Sequence, residues 1–287
     1  MTRSIDLHTH SRASDGSDSP TELARKVAAA GLAAFALTDH DSLDGLDEAA
    51  AESARLGLEF IPGVEIAVRH DYDELHLLGL WLVNPSAALH EGLELFRKGR
   101  DERNRAILDK LARLNAPLNM AEVLALAKGR TVGRPHIAMA LKNRGYVYSR
   151  QEAFDRYLGW GAKAFVPRCL PSPEEGIALL AAEGAIVVLA HPCLSPVMSG
   201  QRLDALLGDL HSMGLNAIEA WHSSHDPNQT RLCLDLAERH GLLCTGGSDY
   251  HGANKQDIAL GSGRGNMRVP YKILEILRAH RTNLGKR

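Results

Sequence analysis

Apolar and polar positions over the first 96 residues switch between two periods. Short apolar runs, "SIDLHTH", "AAFALTDHD" and "EFIPGVEIAV", are separated by the helix-periodic stretches "SPTELARKVAAAG" and "GLDEAAAESARLG". Ser19, Pro20 and Glu22 together predict a helix start, and Gly31 and Gly57 predict stops just past alanine-rich segments. The alternation resumes beyond residue 168 in "PEEGIALLAAEG", "AIVVLAHP", "LDALLGDLHSMG", "LNAIEAWH", "TRLCLDLAERHG" and "LLCTGGSDYH", with a last helix in "PYKILEILRAHR". Strands alternating with helices of about 10 to 15 residues predict an α/β fold on a parallel sheet, and this many units favour a barrel over a short open sheet.

Between residues 97 and 168 the strand signals largely vanish. "RKGRDERNRAILDKLARLN", "NMAEVLALAK", "RPHIAMALKNRG" and "SRQEAFDRYLG" predict four helices, with Pro117 in the break between the first two. The expected organisation is a barrel from residues 1–96 and 169–287 interrupted by a helical insert over 97–168.

Charge sharpens that division. A net charge of −2 hides a split: residues 97–168 carry 16 Lys and Arg against six Asp and Glu, and the remainder carries 17 against 29. An insert ten charges positive on a body twelve charges negative points to a basic element facing an anionic ligand or the acidic body. The 45% hydrophobic and 24% charged content is that of an ordinary soluble protein, and no apolar run approaches the length of a membrane span. The polar start "MTRSIDLHTH" has no apolar leader, so a cytoplasmic location is expected. Cys169, Cys193, Cys233 and Cys244 form no C-x-x-C pair, which argues against a thiolate metal site and a disulfide framework.

The candidate chemistry begins in "IDLHTH", where strand alternation puts Asp6, His8 and His10 on one face. Two imidazoles on a buried face are costly unless something occupies their nitrogens. Further candidate ligands fall at or near the ends of later predicted strands: Asp39 and His40 in "FALTDHD", Glu65 in "FIPGVEI", His76 in "ELHLLG", His191 in "VVLAHP", and Asp249 and His251 in "GGSDYHG". A parallel barrel opens all its strand C-termini on one face, so these scattered residues are expected to converge. His70, His90, His211, His240 and His280 are assigned to surface or helix positions.

The spaced set "HTHS", "DG", "TDHD", "GVEI", "LHLLG", "AHP" and "SDYHG" resembles the polymerase and histidinol phosphatase (PHP) family, which adopts a distorted (β/α)7 barrel. "GRPHIA", "EAFDRYLGWGAKAFVP" and "IEAWHSSH" resemble its stand-alone bacterial nucleotide phosphoesterases, whose barrel carries a helical insert, or cap. The resemblance implies two or three divalent ions. His8, His10 and Asp249 would hold the first, Glu65 would bridge it to a second bound by His76 and His191, and Asp15, His40 and His251 would hold a third. Imidazole and carboxylate ligands without thiolate suit Mn, Fe or Zn, and family habit favours Mn2+. Nine such ligands for three ions leave coordination positions open for water and phosphate oxygens.

Beyond the ligands, Asp39 is expected to orient His40 or cap a helix, and His222 and Asp249 are expected to be catalytic. His222 is read as a proton donor to the leaving oxygen and as a substrate contact, with Glu219 at the same strand end. Arg134, Lys163 and Arg168 are the expected phosphate-binding cations, and Arg100, Arg103 and Arg144 are read as solvated helix faces. The reading these features favour is a phosphatase taking the 3′-phosphate from small nucleoside 3′,5′-bisphosphates. Its competitor is a 5′→3′ exoribonuclease on short 5′-phosphorylated RNA, for which Tyr146, Tyr148, Tyr157 and Trp160 offer stacking surface. A histidinol phosphate phosphatase would place a cationic substrate under a basic insert, and an inactive metal-binding module predicts lost ligands where none is lost.

Overall fold

The computed structural model describes residues 3–70, 74–127, 131–194 and 200–284. Its strands are β1 (Ser4–Thr9), β2 (Ala34–Leu37), β3 (Glu59–Arg69), β4 (Glu74–Leu80), β5 (Ile186–Leu189), β6 (Ala217–His222), β7 (Leu243–Gly247) and β8 (Val269–Pro270). They form one sheet in the order β7-β6-β5-β4-β3-β2-β1-β8. The free edge of β7 turns back onto β1: the His10 N–H donates to the Tyr250 carbonyl at 2.9 Å, and the Asp249 N–H donates to the His8 carbonyl at 2.9 Å. Gly247 makes this seam possible, because a Cβ there would overlap the backbone N and Cβ of His8. The result is an α/β fold whose sheet is a nearly closed, distorted barrel.

The distortion has a definite source. Pairs β1/β2, β2/β3, β5/β6 and β6/β7 are parallel, as expected, but β4 runs antiparallel to both β3 and β5. The expectation of a uniformly parallel sheet is corrected there. Strand alternation divides the apolar side chains cleanly. Ile61, Leu78, Leu80, Ile186, Val188 and Ala217 join one core that ends on α10 (Tyr271–Leu284), while Val64, Ile66, Leu77, Val187, Leu189 and Ile218 face another. The latter, the outer barrel core, lies under α7 (Pro173–Ala181), α8 (Gly200–Ser212) and α9 (Pro227–His240). Strands buried on both faces read as near-continuous hydrophobic runs, which is why "AIVVLA" carries no alternation.

Two helices cover the first strands. In α1 (Pro20–Ala29), Ser19 accepts from the Glu22 N–H while Glu22 reaches back to the Ser19 N–H, completing a capping box. In α2 (Leu46–Leu56), Gly57 closes the helix in the left-handed conformation, φ 65°. The helix expected from Arg97 starts earlier: α3 (Ala87–Arg113) is a single 27-residue helix. Its N-terminal half packs Leu89 and Leu93 into the barrel core, and its C-terminal half packs Ile107, Leu108 and Leu111 into a separate core. The second core is completed by α4 (Met120–Ala127), α5 (Arg134–Asn143) and α6 (Arg150–Ala153), which continues as a π-helical turn over Phe154–Leu158. Lys128, at the end of the fourth-helix motif "NMAEVLALAK", lies outside the described residues.

Candidate metal centre and active site

The fold gathers all nine expected ligands at one end of the barrel. His8 sits on β1 with His10 just beyond it, Asp15 lies in the following turn, and His40 follows β2, where it bridges to Glu65 of β3. His191 follows β5, and Asp249 and His251 follow β7. His76 arrives differently: it lies near the N-terminal end of β4, and only the reversal of that strand brings it to the mouth. Asp41, His191 and Asp249 leave their strands at positive φ, the backbone bends that turn this end inward.

Ligand atoms within each of four overlapping groups lie no more than 4.8 Å apart: His8, His10 and Asp249; His8, Glu65 and His191; His40, Glu65 and His76; and His10, Asp15, His40 and His251. Glu65 is the hub. Its Oε1 is 2.7 Å from His76 Nδ1 and 3.1 Å from His191 Nε2, and its Oε2 is 3.3, 3.2 and 3.0 Å from His8, His10 and His40 nitrogens. His10 Nε2 is 3.3 Å from Asp249 Oδ1, and His251 Nε2 is 3.2 Å from Asp15 Oδ1. Neighbouring donors on an ion with bonds of about 2.0–2.2 Å sit about 3–3.6 Å apart, so these spacings match shared coordination shells.

The unsatisfied atoms give the same answer. Glu65 Oε2 and His40 Nδ1 lie 3.0 Å apart, yet both are buried without a hydrogen-bond partner, as is His10 Nδ1. Buried polar atoms are normally satisfied, and a divalent ion satisfies lone pairs that converge without donors. Outer contacts aim the imidazoles. His8 Nδ1 faces Glu219 Oε1 at 3.1 Å, so the proton sits on Nδ1 and the Nε2 lone pair points into the cluster. Glu219 Oε2 accepts from the His191 N–H at 2.8 Å, and His251 Nδ1 is held by the Asp249 carbonyl at 2.8 Å. Asp39 accepts from the Ser11 N–H at 2.8 Å and the Ser11 hydroxyl at 2.6 Å, which holds the turn carrying Asp15 rather than capping a helix. Asp6 joins none of these groups and instead accepts from Ser248 and Gly261, because a register shift between Asp6 and Thr9 interrupts the expected alternation.

Charge follows the geometry. Burial alone would raise the carboxyl of Glu65, but His40, His76 and His8 outweigh it and hold it well below the usual range. Asp249 behaves likewise, with Lys255 and His251 overcoming burial. Burial pushes His40 down to about 3 and His191 down to about 4, leaving neutral imidazoles with a lone pair to give. For His10, burial is overcome by Asp249 and Glu65, which raise it to about 9, so metal entry there must displace a proton.

The cleft above the cluster is lined by Arg100, Arg103, Arg134, Phe154 and Lys255 as well as ligands. Arg100 and Arg103 are 8% and 4% exposed, so the reading of both as solvated faces is corrected; Arg144 does lie on the surface, paired with Glu122. Arg134 reaches the cleft at the start of α5, 3.6 Å from Glu74, which also pairs with Arg103 at 3.0 Å. Arg168 is fully buried: its Nη2 donates to Asp41 and to the Phe96 carbonyl, while Nε and Nη1 have no partner. Lys163 is exposed and lies outside the cleft lining. His222 is also outside that lining, buried behind Asp249; its Nδ1 accepts from the Ser224 N–H at 3.1 Å, so the proton is on Nε2, 3.6 Å from Asp249 Oδ2. Lys255, 2.6 Å from Asp249 Oδ2, and Glu74 were not singled out from the sequence. The one available signal for Lys255 is its position six residues beyond Asp249.

Comparison with known proteins decides the family. The PHP domain model matches residues 6–166. The chain belongs to the PHP family. A 3′,5′-nucleoside bisphosphate phosphatase of Chromobacterium violaceum is 34% identical over 255 residues, covering 86% of this chain and 87% of that one. A 5′-3′ exoribonuclease of Haemophilus influenzae is 35% identical over 251 residues, covering 88% and 91%. The crystal structure of a metal-dependent phosphoesterase from Bifidobacterium adolescentis superposes with a TM-score of 0.81 at 32% identity, covering 96% of each chain. This PHP protein is accordingly a metal-dependent phosphoesterase, and no described helix is long and apolar enough to cross a membrane.

Proposed function

We propose that this PHP phosphoesterase removes the 3′-phosphate of nucleoside 3′,5′-bisphosphates, leaving the 5′-monophosphate. The observation that carries the proposal is a cluster fit for metal, roofed by cations that belong to the insert: Arg100, Arg103 and Arg134. A substrate with one phosphate at the cluster and a second against the insert uses both, whereas a monoester leaves the roof idle. The C. violaceum relative, named for this activity, supports the reading.

His8, His10, Asp249 and Glu65, with His76 and His191, would hold two ions, and Asp15, His40 and His251 a third; Mn2+ is the proposed metal, with Fe2+ or Zn2+ as alternatives. Such ions neutralise charge developing on the phosphoryl group and supply water of lowered pKa. The chain's own groups do the rest. Lys255 fixes Asp249 Oδ2, leaving Oδ1 to the cluster. The buried Nε2–H of His222 faces the same carboxylate, which makes His222 a positioning residue for Asp249 rather than a direct proton donor. Arg134, at the helix start nearest the cleft, holds the second phosphate by charge-assisted hydrogen bonds.

Phosphate release with Mn2+ should be compared across adenosine 3′,5′-bisphosphate, its 2′,5′ isomer, adenosine 5′-monophosphate, histidinol phosphate and a 5′-phosphorylated trinucleotide. The bisphosphate should lead, and Arg134→Ala should raise its KM at least about tenfold. Equal kcat/KM on bisphosphate and monophosphate would overturn the two-phosphate requirement. The second reading, 5′→3′ trimming of short RNA, is favoured by one observation: the cleft does not end at Arg134 but continues into a larger cavity.

A further inference from the structure

The cysteines take no part in the ligand cluster, yet two of them meet beside it. Cys193 Sγ and Cys233 Sγ lie 3.7 Å apart, both as free thiols, close enough for one S–H to donate to the other sulfur. Forty residues of chain separate them, so the fold and not the local sequence makes the contact. Cys233 lies inside α9 and shares its buried face with Leu236 and Ala237, three and four residues further on. Cys193 is only half-buried, so a small solute reaches it while Cys233 is closed to solvent.

Cys193 shares a four-residue turn with a candidate ligand. The turn runs from His191 through Pro192 and Cys193 to Leu194, whose N–H donates to the His191 carbonyl at 3.0 Å. Its start is held by the Ala190 N–H on the His76 carbonyl at 3.0 Å and the His191 N–H on Glu219 Oε2 at 2.8 Å. The His191 ring places Nε2 3.1 Å from Glu65 Oε1. Pro192 has a fixed φ, which leaves the turn little slack, so a displacement of Cys193 is passed to His191. A disulfide holds its sulfurs at about 2.05 Å, so closing the pair from 3.7 Å takes about 1.6 Å of movement. The hydrogen-bonded helix holds Cys233, and most of that movement falls to the turn. Metal–ligand distances tolerate only about 0.2 Å, so a small share of it reaching His191 is enough to spoil its place beside Glu65.

We propose that Cys193 and Cys233 form a peroxide-sensitive dithiol whose oxidation to a disulfide weakens metal binding at Glu65 and His191. The half-buried partner reacts first. The Cys193 sulfur attacks one oxygen of hydrogen peroxide, the O–O bond breaks, and Cys193 becomes a sulfenic acid as water leaves. The Cys233 sulfur then attacks the Cys193 sulfur, the S–O bond breaks, and a second water leaves with the Cys233 proton. Across both steps the two thiols lose two electrons and one peroxide is reduced to two waters. A thiol reductant reopens the pair by exchange.

The test uses the full chain freed of metal by chelator, treated with hydrogen peroxide and exchanged into chelator-free buffer. Thiol counting should show two of the four thiols lost and both recovered with dithiothreitol. Peptide mass mapping should join Cys193 to Cys233. Titration calorimetry should then show Mn2+ affinity at least about tenfold lower in the oxidised protein than in the reduced one, with no such loss in peroxide-treated Cys193→Ser. A crosslink through Cys169 or Cys244, or no crosslink, overturns the pair. Undiminished affinity in the crosslinked protein, or an equal loss in Cys193→Ser, overturns the coupling to the metal. Reduced protein that binds no Mn2+ overturns the coupling together with the reading of the cluster as a metal centre.

Discussion

Glu219 is not itself part of the cleft lining, yet it sets two of the candidate ligands. One oxygen fixes the tautomer of His8 and the other holds the backbone N–H of His191. Glu219→Gln keeps the shape but cannot accept at both positions, so Mn2+ affinity should fall about 10- to 100-fold, as outer-contact substitutions do. Calorimetric titration of metal into apo-protein would measure it, and an unchanged affinity would remove Glu219 from the metal-holding set. His225 offers a pH test away from the ligands. Burial lowers its pKa below the usual 6.5, and its Nδ1–H is held by the Ala220 carbonyl at 3.0 Å. A histidine kept neutral by the fold gives full stability above its unfolded value and loses it as pH drops below about 6.5, because the unfolded chain then takes the proton first. Wild type should therefore lose unfolding free energy between pH 7 and pH 5 faster than His225→Asn, which retains a donor for Ala220; parallel curves would refute this. At this scale the sequence spoke clearly for the nine candidate ligands that the fold gathers, since each is a histidine or carboxylate in a short motif beside a strand. It was silent on Glu74, and Arg100 and Arg103 misled, because a basic residue on a long helix looks the same whether it faces water or a cleft.

Asp41 ties two elements together. This buried carboxylate binds Arg100 on the helix that leaves the barrel and Arg168 on the segment that returns, so both covalent connections to the second core are pinned at one point. Asparagine tolerates the φ of 51° at this position, so Asp41→Asn isolates the charge. Leaving two guanidiniums uncompensated in a buried site should cost about 3–5 kcal/mol, measured by denaturant unfolding. Hydrogen exchange should quicken most over residues 107–164, and uniform protection would show that the staple is dispensable. The element that sequence reading placed wrongly was β4. Four residues separate Arg69 from Glu74, and a parallel crossover needs a dozen or more, so the antiparallel return was legible in the spacing although hidden by the surrounding βα rhythm. The helices were easier: Ser19 announces the start of α1 through local capping chemistry that tertiary packing does not override.

At the scale of the molecule, the metal-ligand cluster draws on β1, β3 and β4 and on loops following β1, β2, β5 and β7, so ions bound there also brace the mouth of the barrel. Chelation should abolish phosphate release and lower the melting temperature by roughly 5 °C or more relative to Mn2+-saturated protein, reversibly on adding metal back. A melting temperature indifferent to chelator would mean that the cluster holds no ion in solution. Charge asymmetry, read as a basic element over an acidic body, is visible in the fold as guanidiniums of one layer meeting carboxylates of the other, with Arg103 on Glu74 and Arg100 on Asp41. The 27-residue helix α3 has a consequence of its own. A rod of about 40 Å, anchored in the barrel at one end and in the second core at the other, has no hinge between them. The roof of the cleft is thus built as a fixed eave rather than a closing lid, so substrate enters from the side.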